Sequence, residues 1–129
     1  MGPKSTQDVT ETELQILHVL WRDKTATVRH LAEQLYGEGA KSQHSTVQKL
    51  LDRLKEKGFV ARDRTVWPHV FRPAVQQEEL IDRRIQNTAD AFCGGAIQPL
   101  LTHLLRGKKL SREDRSSLRN LLDELDADE

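Results

Sequence analysis

What this sequence of 129 residues lacks already narrows the classes of protein that it can belong to. No uninterrupted apolar run is longer than three residues, whereas a membrane-spanning helix needs ~20 mostly apolar residues. We therefore expect no membrane partner. Residues 1–6, MGPKST, contain no apolar segment of the kind found in secretory signals. We expect residues 1–9 to form a disordered lead-in and the protein to be cytoplasmic.

Sites that depend on cysteine or clustered histidine are also missing. The single cysteine, Cys93, can form no disulfide within the chain, and without a Cys-x-x-Cys pair it builds no zinc site. No two histidines have the i, i+4 spacing of a helical zinc site. The sequence also has no phosphate-binding glycine loop and no nucleophile elbow. We therefore expect no metal, no cofactor and no enzymatic activity.

The whole chain has no excess of positive or negative charge, but individual regions of it do. The chain has 20 Lys plus Arg and 20 Asp plus Glu. Residues 1–73 hold 12 basic and 9 acidic side chains, and residues 74–129 hold 8 and 11. Residues 41–72 alone hold 8 basic and 3 acidic side chains. A local excess of positive charge is the electrostatic footprint of a nucleic-acid partner, whereas the acidic end, residues 123–129, is typical of a solvated tail.

Three short helices are predicted in the first half of the chain. Thr10 with Glu13 three residues later forms a capping-box signature, which predicts a helix at about 11–22. Residues 25–27 (TAT) cap a second helix, which the glycines at 37 and 39 end. A third begins near Ser42 or Ser45 and runs to Gly58. Its apolar stripe has the i, i+3, i+4, i+7 spacing of a helix face packed on a core and consists of Val47, Leu50, Leu51 and Leu54.

After the third helix, the pattern changes to that of a hairpin. Residues 59–64 and 70–73 are short, partly alternating segments on either side of a proline-containing stretch without regular period. Three helices followed by a hairpin is the order of a winged helix-turn-helix. We assign residues 10–73 to this DNA-binding domain, with the polar and basic side of the third helix facing a major groove.

The second half is predicted to be helical again, from Gln76 to a break at Gly94 and Gly95, and onward to a last helix capped by Ser111. Such a small region has little core of its own in which to bury its leucines. We therefore predict that residues 74–129 form a homodimerisation region. The predicted dimer contacts are Leu80, Ile81, Ile85, Phe92, Ile97, Leu100, Leu101, Leu104, Leu105, Leu118, Leu121 and Leu122.

The sequence also resembles a known family in three places. Residues 10–21 (TETELQILHVLW) resemble the opening helix of the penicillinase and methicillin-resistance repressors, and residues 44–58 (HSTVQKLLDRLKEKG) resemble their recognition helix. Residues 92–95 (FCGG) and 110–114 (LSRED) resemble their dimerisation region. The resemblance implies a dimeric winged-helix repressor that binds an inverted-repeat operator in double-stranded DNA.

Two departures from the family concern regulation. The family's regulatory protease cuts an Asn-Phe bond, where this chain has His103 and Leu104. The copper-responsive members of the family end in a cysteine-rich metal motif, which this chain lacks. A third departure lies next to the recognition helix, where Ser42 replaces the family's usual Trp. The resemblance implies a regulatory protease as a partner, but not antibiotic-triggered cleavage at an Asn-Phe bond or copper sensing.

The candidate DNA contacts lie on the third helix, just before it, and on the hairpin. Thr and Gln side chains can hydrogen-bond base edges, while Lys and Arg can bind phosphate or guanine. The predicted set is Ser42, Gln43, His44, Ser45, Thr46, Gln48, Lys49, Arg53, Arg62, Arg64 and His69. Three alternatives stay open at this point: an ordinary solvated helix face, a winged helix that binds proteins, and a regulator that responds to a small ligand.

Overall fold

A computed structural model describes residues 8–107 and 110–128. Within those residues the chain forms six α-helices and one two-stranded antiparallel hairpin, which confirms the predicted fold class of a winged helix-turn-helix followed by C-terminal helices. Two 3-10 turns, Gly37–Gly39 and Lys41–Gln43, connect α2 to α3. The elements are α1 (Glu11–Asp23), α2 (Val28–Tyr36), α3 (His44–Glu56), β1 (Val60–Asp63), β2 (Val70–Pro73), α4 (Gln77–Cys93), α5 (Gln98–Gly107) and α6 (Arg112–Ala127).

The helices begin where local hydrogen bonds stabilise their first turns. The Thr10 hydroxyl accepts from the Glu13 N–H at 3.2 Å, and the Glu13 carboxylate accepts from the Thr10 N–H at 2.9 Å. Ser111 forms the same reciprocal pair at the start of α6, and the Thr27 hydroxyl accepts from the third N–H of α2 at 3.1 Å. The predicted caps Thr10 and Ser111 are confirmed, and Thr27 is the capping residue of the predicted segment 25–27. Each satisfies N–H groups that have no partner inside the helix.

Contacts between residues divide the chain into two units, 1–84 and 85–129. In the first unit, α1, α2, α3 and the hairpin share one apolar core. The predicted stripe of α3 is buried there. The largest fully buried apolar side chains of this core are Phe59, Phe71, Ile16, Leu17, Leu20, Leu31, Leu51 and Leu54.

The hairpin forms backbone hydrogen bonds between its own two strands and with the residue before the cap of α2. Residue pairing runs from Val60 opposite Pro73 to Asp63 opposite Val70. Phe71 also exchanges two backbone hydrogen bonds with Ala26, at 2.8 and 3.0 Å. Ala26 directly precedes the cap of α2, so this bridge places the beginning of α2 beside the hairpin.

Some predictions differ from the structure. Val9 is buried and Asp8 accepts a hydrogen bond from Lys57, so the predicted disordered lead-in does not include these two residues; residues 1–7 lie outside the described part. Leu80, a predicted dimer contact, is 6% exposed in the core of the first unit and therefore has little surface left for a second chain. The acidic stretch is helical up to Ala127, as part of α6, although its side chains are exposed.

The second unit consists of the rest of α4 with α5 and α6. Among its described residues, 85–107 and 110–128, only Ala89 is buried. Across the described residues of the whole chain, no helix is long and apolar enough to cross a membrane.

Candidate nucleic-acid interface

The outward side of α3 is polar in its first half. At 100° per residue, Ser45 and Lys49 lie opposite the buried stripe, and both are exposed. Thr46 is exposed as well, so it neither faces the core nor caps the helix. The acidic residues of this face, Asp52 and Glu56, come later in the helix. The first two turns of α3 therefore present hydroxyl and ammonium groups, as expected of residues that reach base edges and phosphates.

A cleft of about 420 Å³ lies between the beginning of α2, the beginning of α3 and the hairpin. Its lining includes two arginines and two histidines but no carboxylate. Such a surface attracts anions, because no lining group offsets the positive charge. The lining residues are Thr27, Val28, Arg29, His44, Ser45, Gln48, Arg62, Trp67, Pro68, His69 and Phe71.

Among the lining residues, Arg62 has a buried hydrogen-bond donor without a partner. Its Nε is buried, and no hydrogen-bond partner for it exists among the described residues. A buried donor without a partner costs free energy that a bound acceptor recovers. Arg29, on the opposite side, has only a long contact with Glu33, 3.4 Å between Nε and Oε2, and both side chains are exposed. Exposed pairs of this kind contribute little, so Arg29 can exchange Glu33 for another anion.

Other predicted DNA contacts already have partners in the chain. The Ser42 hydroxyl donates to the Gly39 carbonyl at 2.9 Å and so stabilises the turn before α3. Gln48 Nε2 donates to Asp52 Oδ1 at 3.0 Å. Gln43 is half-buried in the turn that leads into α3. These residues lie beside the exposed face, and their contact with DNA stays a prediction.

Arg53 is turned toward a buried carboxylate. Its Nε lies 3.3 Å from Oε2 of Glu13, whose side chain is fully buried, and Lys57 Nζ lies 2.6 Å from Oε1 of the same group. Burial raises the pKa of the Glu13 carboxyl, but the hydrogen bonds from Lys57 and from the Thr10 N–H, with the charges of Lys57 and Arg53, outweigh it and lower the pKa below its ordinary value. Arg53 is still half-exposed, so it joins this network to the surface of α3.

The turn of the hairpin has its own ordered contacts. Asp63 Oδ1 accepts from the hydroxyl and the N–H of Thr65, at 2.6 and 2.8 Å, and these bonds lower the pKa of Asp63. The Trp67 indole meets the His69 ring edge-on, with centroids 4.9 Å apart. Arg64 is exposed next to this turn. The turn thus presents a cation and an aromatic ring to solvent.

Part of this site was predictable from the sequence. The predicted DNA-binding set includes His44, Ser45, Gln48, Arg62 and His69, and the structure brings these five together in the cleft. Thr46, Lys49 and Arg64 lie outside the lining, on exposed surface.

The contribution of α2 was missed. Thr27 had a predicted role only as a cap, and Arg29 had none, yet both line the cleft. Trp67 and Pro68 were seen only as a break in the pattern. A Trp in a polar turn without apolar periodicity was the available signal for Trp67.

The chain matches a known protein family over most of its length. The family model described as penicillinase repressor matches residues 9–124. The chain belongs to the penicillinase repressor family. An uncharacterized 16.5 kDa protein in the ptsI 3′ region of Latilactobacillus sakei is 24% identical over 119 residues, which cover 92% of this chain and 81% of that protein. Members of the penicillinase repressor family are DNA-binding transcriptional regulators rather than enzymes.

The family match extends into the second unit, to residue 124, and the helices of this unit expose several large apolar side chains. Leu101, Leu104 and Leu105 of α5 are 45–53% exposed, and Phe92 at the end of α4 is 83% exposed. In α6, Leu121, Leu122 and Leu125 are 54–63% exposed. Other members of the predicted dimer set retain part of their surface: Ile81, Ile85, Ile97, Leu100 and Leu118.

Two further features of this penicillinase repressor relative concern regulation. His103 and Leu104, the two residues that the sequence resemblance aligns with a cleaved bond, lie inside α5. Within the described residues, no group of three His, Cys, Asp or Glu side chains is placed to hold a metal ion, and Cys93 is a free, half-buried thiol.

Proposed function

We propose that this chain is a homodimeric, sequence-specific repressor that binds an inverted-repeat operator and blocks access of polymerase to it. The observation that supports DNA binding most directly is the cleft with Arg29, Arg62, His44 and His69 in its lining and no carboxylate. It lies beside the exposed, polar first half of α3. The two surfaces together match a duplex, in which base edges in a groove are flanked by phosphates.

In this proposal, α3 enters the major groove with its first two turns. Ser45, Thr46 and Lys49 face the base edges or the nearest phosphates, and Asp52 and Glu56 stay toward the outside of the groove. Arg62 and Arg29 bind the phosphate backbone from the cleft. Contacts of this kind position the protein, while the polar side chains of α3 supply sequence discrimination.

The homodimer is proposed from the exposed apolar faces of α5 and α6. Removing apolar surface from water stabilises an association by ~25 cal/mol per Å². Family membership and the absence of buried leucines among the described residues of the second unit both favour a second copy of the chain as the occupant. A symmetric dimer also matches an inverted repeat, because the two-fold axis of the protein coincides with that of the operator.

Repression follows from avidity. Two α3 helices spaced ~34 Å apart, or a multiple of this distance, reach successive major grooves on one face of the duplex. Each half-site alone is weak, so a signal that separates the subunits lowers occupancy steeply. We therefore place regulation in residues 74–125. Cleavage between His103 and Leu104 by a regulatory protease would require α5 to unfold locally, since proteases prefer exposed loops.

Selection from a randomised duplex pool tests this function. The purified protein should enrich an inverted repeat, and binding to it should be sensitive to salt. Enrichment of a single half-site would contradict the dimeric mode. No enrichment at all would contradict DNA recognition and favour a protein-binding winged helix.

A further inference from the structure

The turn of the hairpin carries a large, exposed apolar side chain. DNA contacts made by α3 do not explain why it is there. Trp67 is 84% exposed, and its neighbour Val66 is 47% exposed. The indole ring touches His69 only edge-on. One face of a large ring is therefore available in the turn of the hairpin, three residues after the exposed Arg64.

The position of Trp67 relative to α3 indicates what it meets. The cleft has His44, Ser45 and Gln48 of α3 on one wall and Trp67 with its neighbours on another. In a duplex, one phosphodiester strand separates the major groove from the next minor groove. When α3 occupies the major groove, a strand seated in the cleft leaves Trp67 on the minor-groove side.

The charges of the cleft favour that strand as its occupant. Arg29 and Arg62 line it together with two imidazoles, and no lining residue is acidic. The half-buried Arg62 side chain lines the cleft, and the guanidinium N–H groups of Arg62 and Arg29 are donors suited to phosphate oxygens. An apolar protein partner would leave these donors unsatisfied, so the cleft fits nucleic acid better than it fits an apolar protein surface.

We propose that Trp67 is a specificity-determining residue that places its ring in the minor groove beside each half-site. This inference rests on the proposed DNA-binding function. Apolar side chains in the minor groove contact sugars or part base steps, and they favour steps that deform easily, such as TA and CA/TG. Trp67 thereby selects sequence at positions that α3 does not reach.

The test compares variants in the same selection from a randomised duplex pool. Trp67→Ala should keep the bases that α3 selects but lose the preference at the flanking positions, and it should bind the wild-type consensus about tenfold more weakly. Trp67→Phe, which keeps an aromatic ring, should retain most of both properties. Val66→Ala is the matched control, because it shortens the exposed apolar neighbour and should leave selection unchanged.

Two further measurements separate an apolar contact from an electrostatic one. Trp67→Ala removes no charge, so its salt dependence should equal that of the wild type, whereas Arg64→Ala should lower the slope by about one if it binds a phosphate. Hydroxyl-radical footprinting should show minor-groove protection at the flanks with the wild type and not with Trp67→Ala.

The outcomes distinguish this inference from the proposed function. If Trp67→Ala has the flanking preference, affinity and footprint of the wild type, Trp67 has no role in DNA recognition, while repressor function stands. If the wild type itself enriches no sequence, both are overturned. Because Trp67 is mostly exposed, the variant should fold normally, which circular dichroism verifies.

Discussion

Lys57 Nζ donates a 2.6 Å hydrogen bond to Oε1 of Glu13, 44 residues earlier in the chain. Lys57 follows the last residue of α3, and Glu13 lies in the first turn of α1, where its carboxylate also accepts from the Thr10 N–H. The same Lys57 donates to the Asp8 carbonyl at 3.0 Å. One carboxylate thus joins the start of α1 to the end of the helix that we propose enters the major groove.

Replacing Glu13 tests how much this contact stabilises the fold. Glu13→Gln keeps the size of the side chain but leaves Lys57, which is 18% exposed, without its buried counter-charge. We expect a loss of about 3 kcal/mol in the free energy of unfolding, measured with urea. Glu11→Gln, in the same turn but exposed, is the matched control and should change it little. Equal effects of the two substitutions would mean that the buried pair contributes nothing specific.

Acid should weaken the same contact. Because the folded state lowers the pKa of Glu13, its ionised form contributes stability that is fully present above the unfolded-state pKa and is lost as the pH falls through the folded-state pKa. Urea unfolding of the wild type from neutral pH downward should lose stability more steeply than that of Glu13→Gln. Parallel curves would contradict this assignment, because Asp23 and Asp63, whose pKa values are also lowered, are present in both proteins.

Two cations of α3 should behave differently when removed. Lys49→Ala should weaken operator binding, lower the salt slope by about one and leave thermal stability unchanged, since Lys49 is exposed. Arg53→Ala should lower stability as well, because Arg53 lies 3.3 Å from the buried Glu13 carboxylate. Lys55→Ala removes an equal charge from the end of the same helix and serves as control. Anisotropy titrations and thermal melts separate these effects. If Lys49→Ala bound the operator with the affinity of the wild type, the middle of α3 would not be part of the DNA interface.

The dimer prediction is tested on α5. Introducing charge on the apolar face with Leu101→Lys and Leu104→Lys should give monomers in sedimentation velocity, because burying two ammonium groups without partners is unfavourable. Thr102→Lys with His103→Lys places the same number of lysines on the other side of the helix and should leave the dimer intact. A normal dimer with the first pair would show that the interface lies elsewhere.

Local signals in the sequence were sufficient to predict the elements and the starts of α1, α2 and α6. The helix α3 begins at His44, between the predicted starts Ser42 and Ser45, and has no side-chain cap. The caps at Thr10, Thr27 and Ser111 depend on side chains at most three residues away, so they can be seen without the fold. The buried stripe of α3 follows from its period alone.

Long-range packing was not accessible in this way. Glu13 appeared only as a helix cap, because its partners Arg53 and Lys57 are 40 and 44 residues away in the chain. Leu80 fits the helical period of α4 whether it packs on its own core or on a second chain. Arg29 lines the cleft near the start of α2, the helix that directly follows the Ala26 bridge to Phe71, and this pairing joins residues 45 positions apart in the chain.

The most direct test of the central claim is a fluorescence-anisotropy titration of the purified protein against the selected inverted-repeat duplex, at two salt concentrations and with nonspecific competitor. We expect a complex of two chains per duplex whose affinity falls by roughly one power of salt concentration for each phosphate bound. Binding that depends on neither sequence nor salt, or a complex of one chain per duplex, would contradict the proposed function.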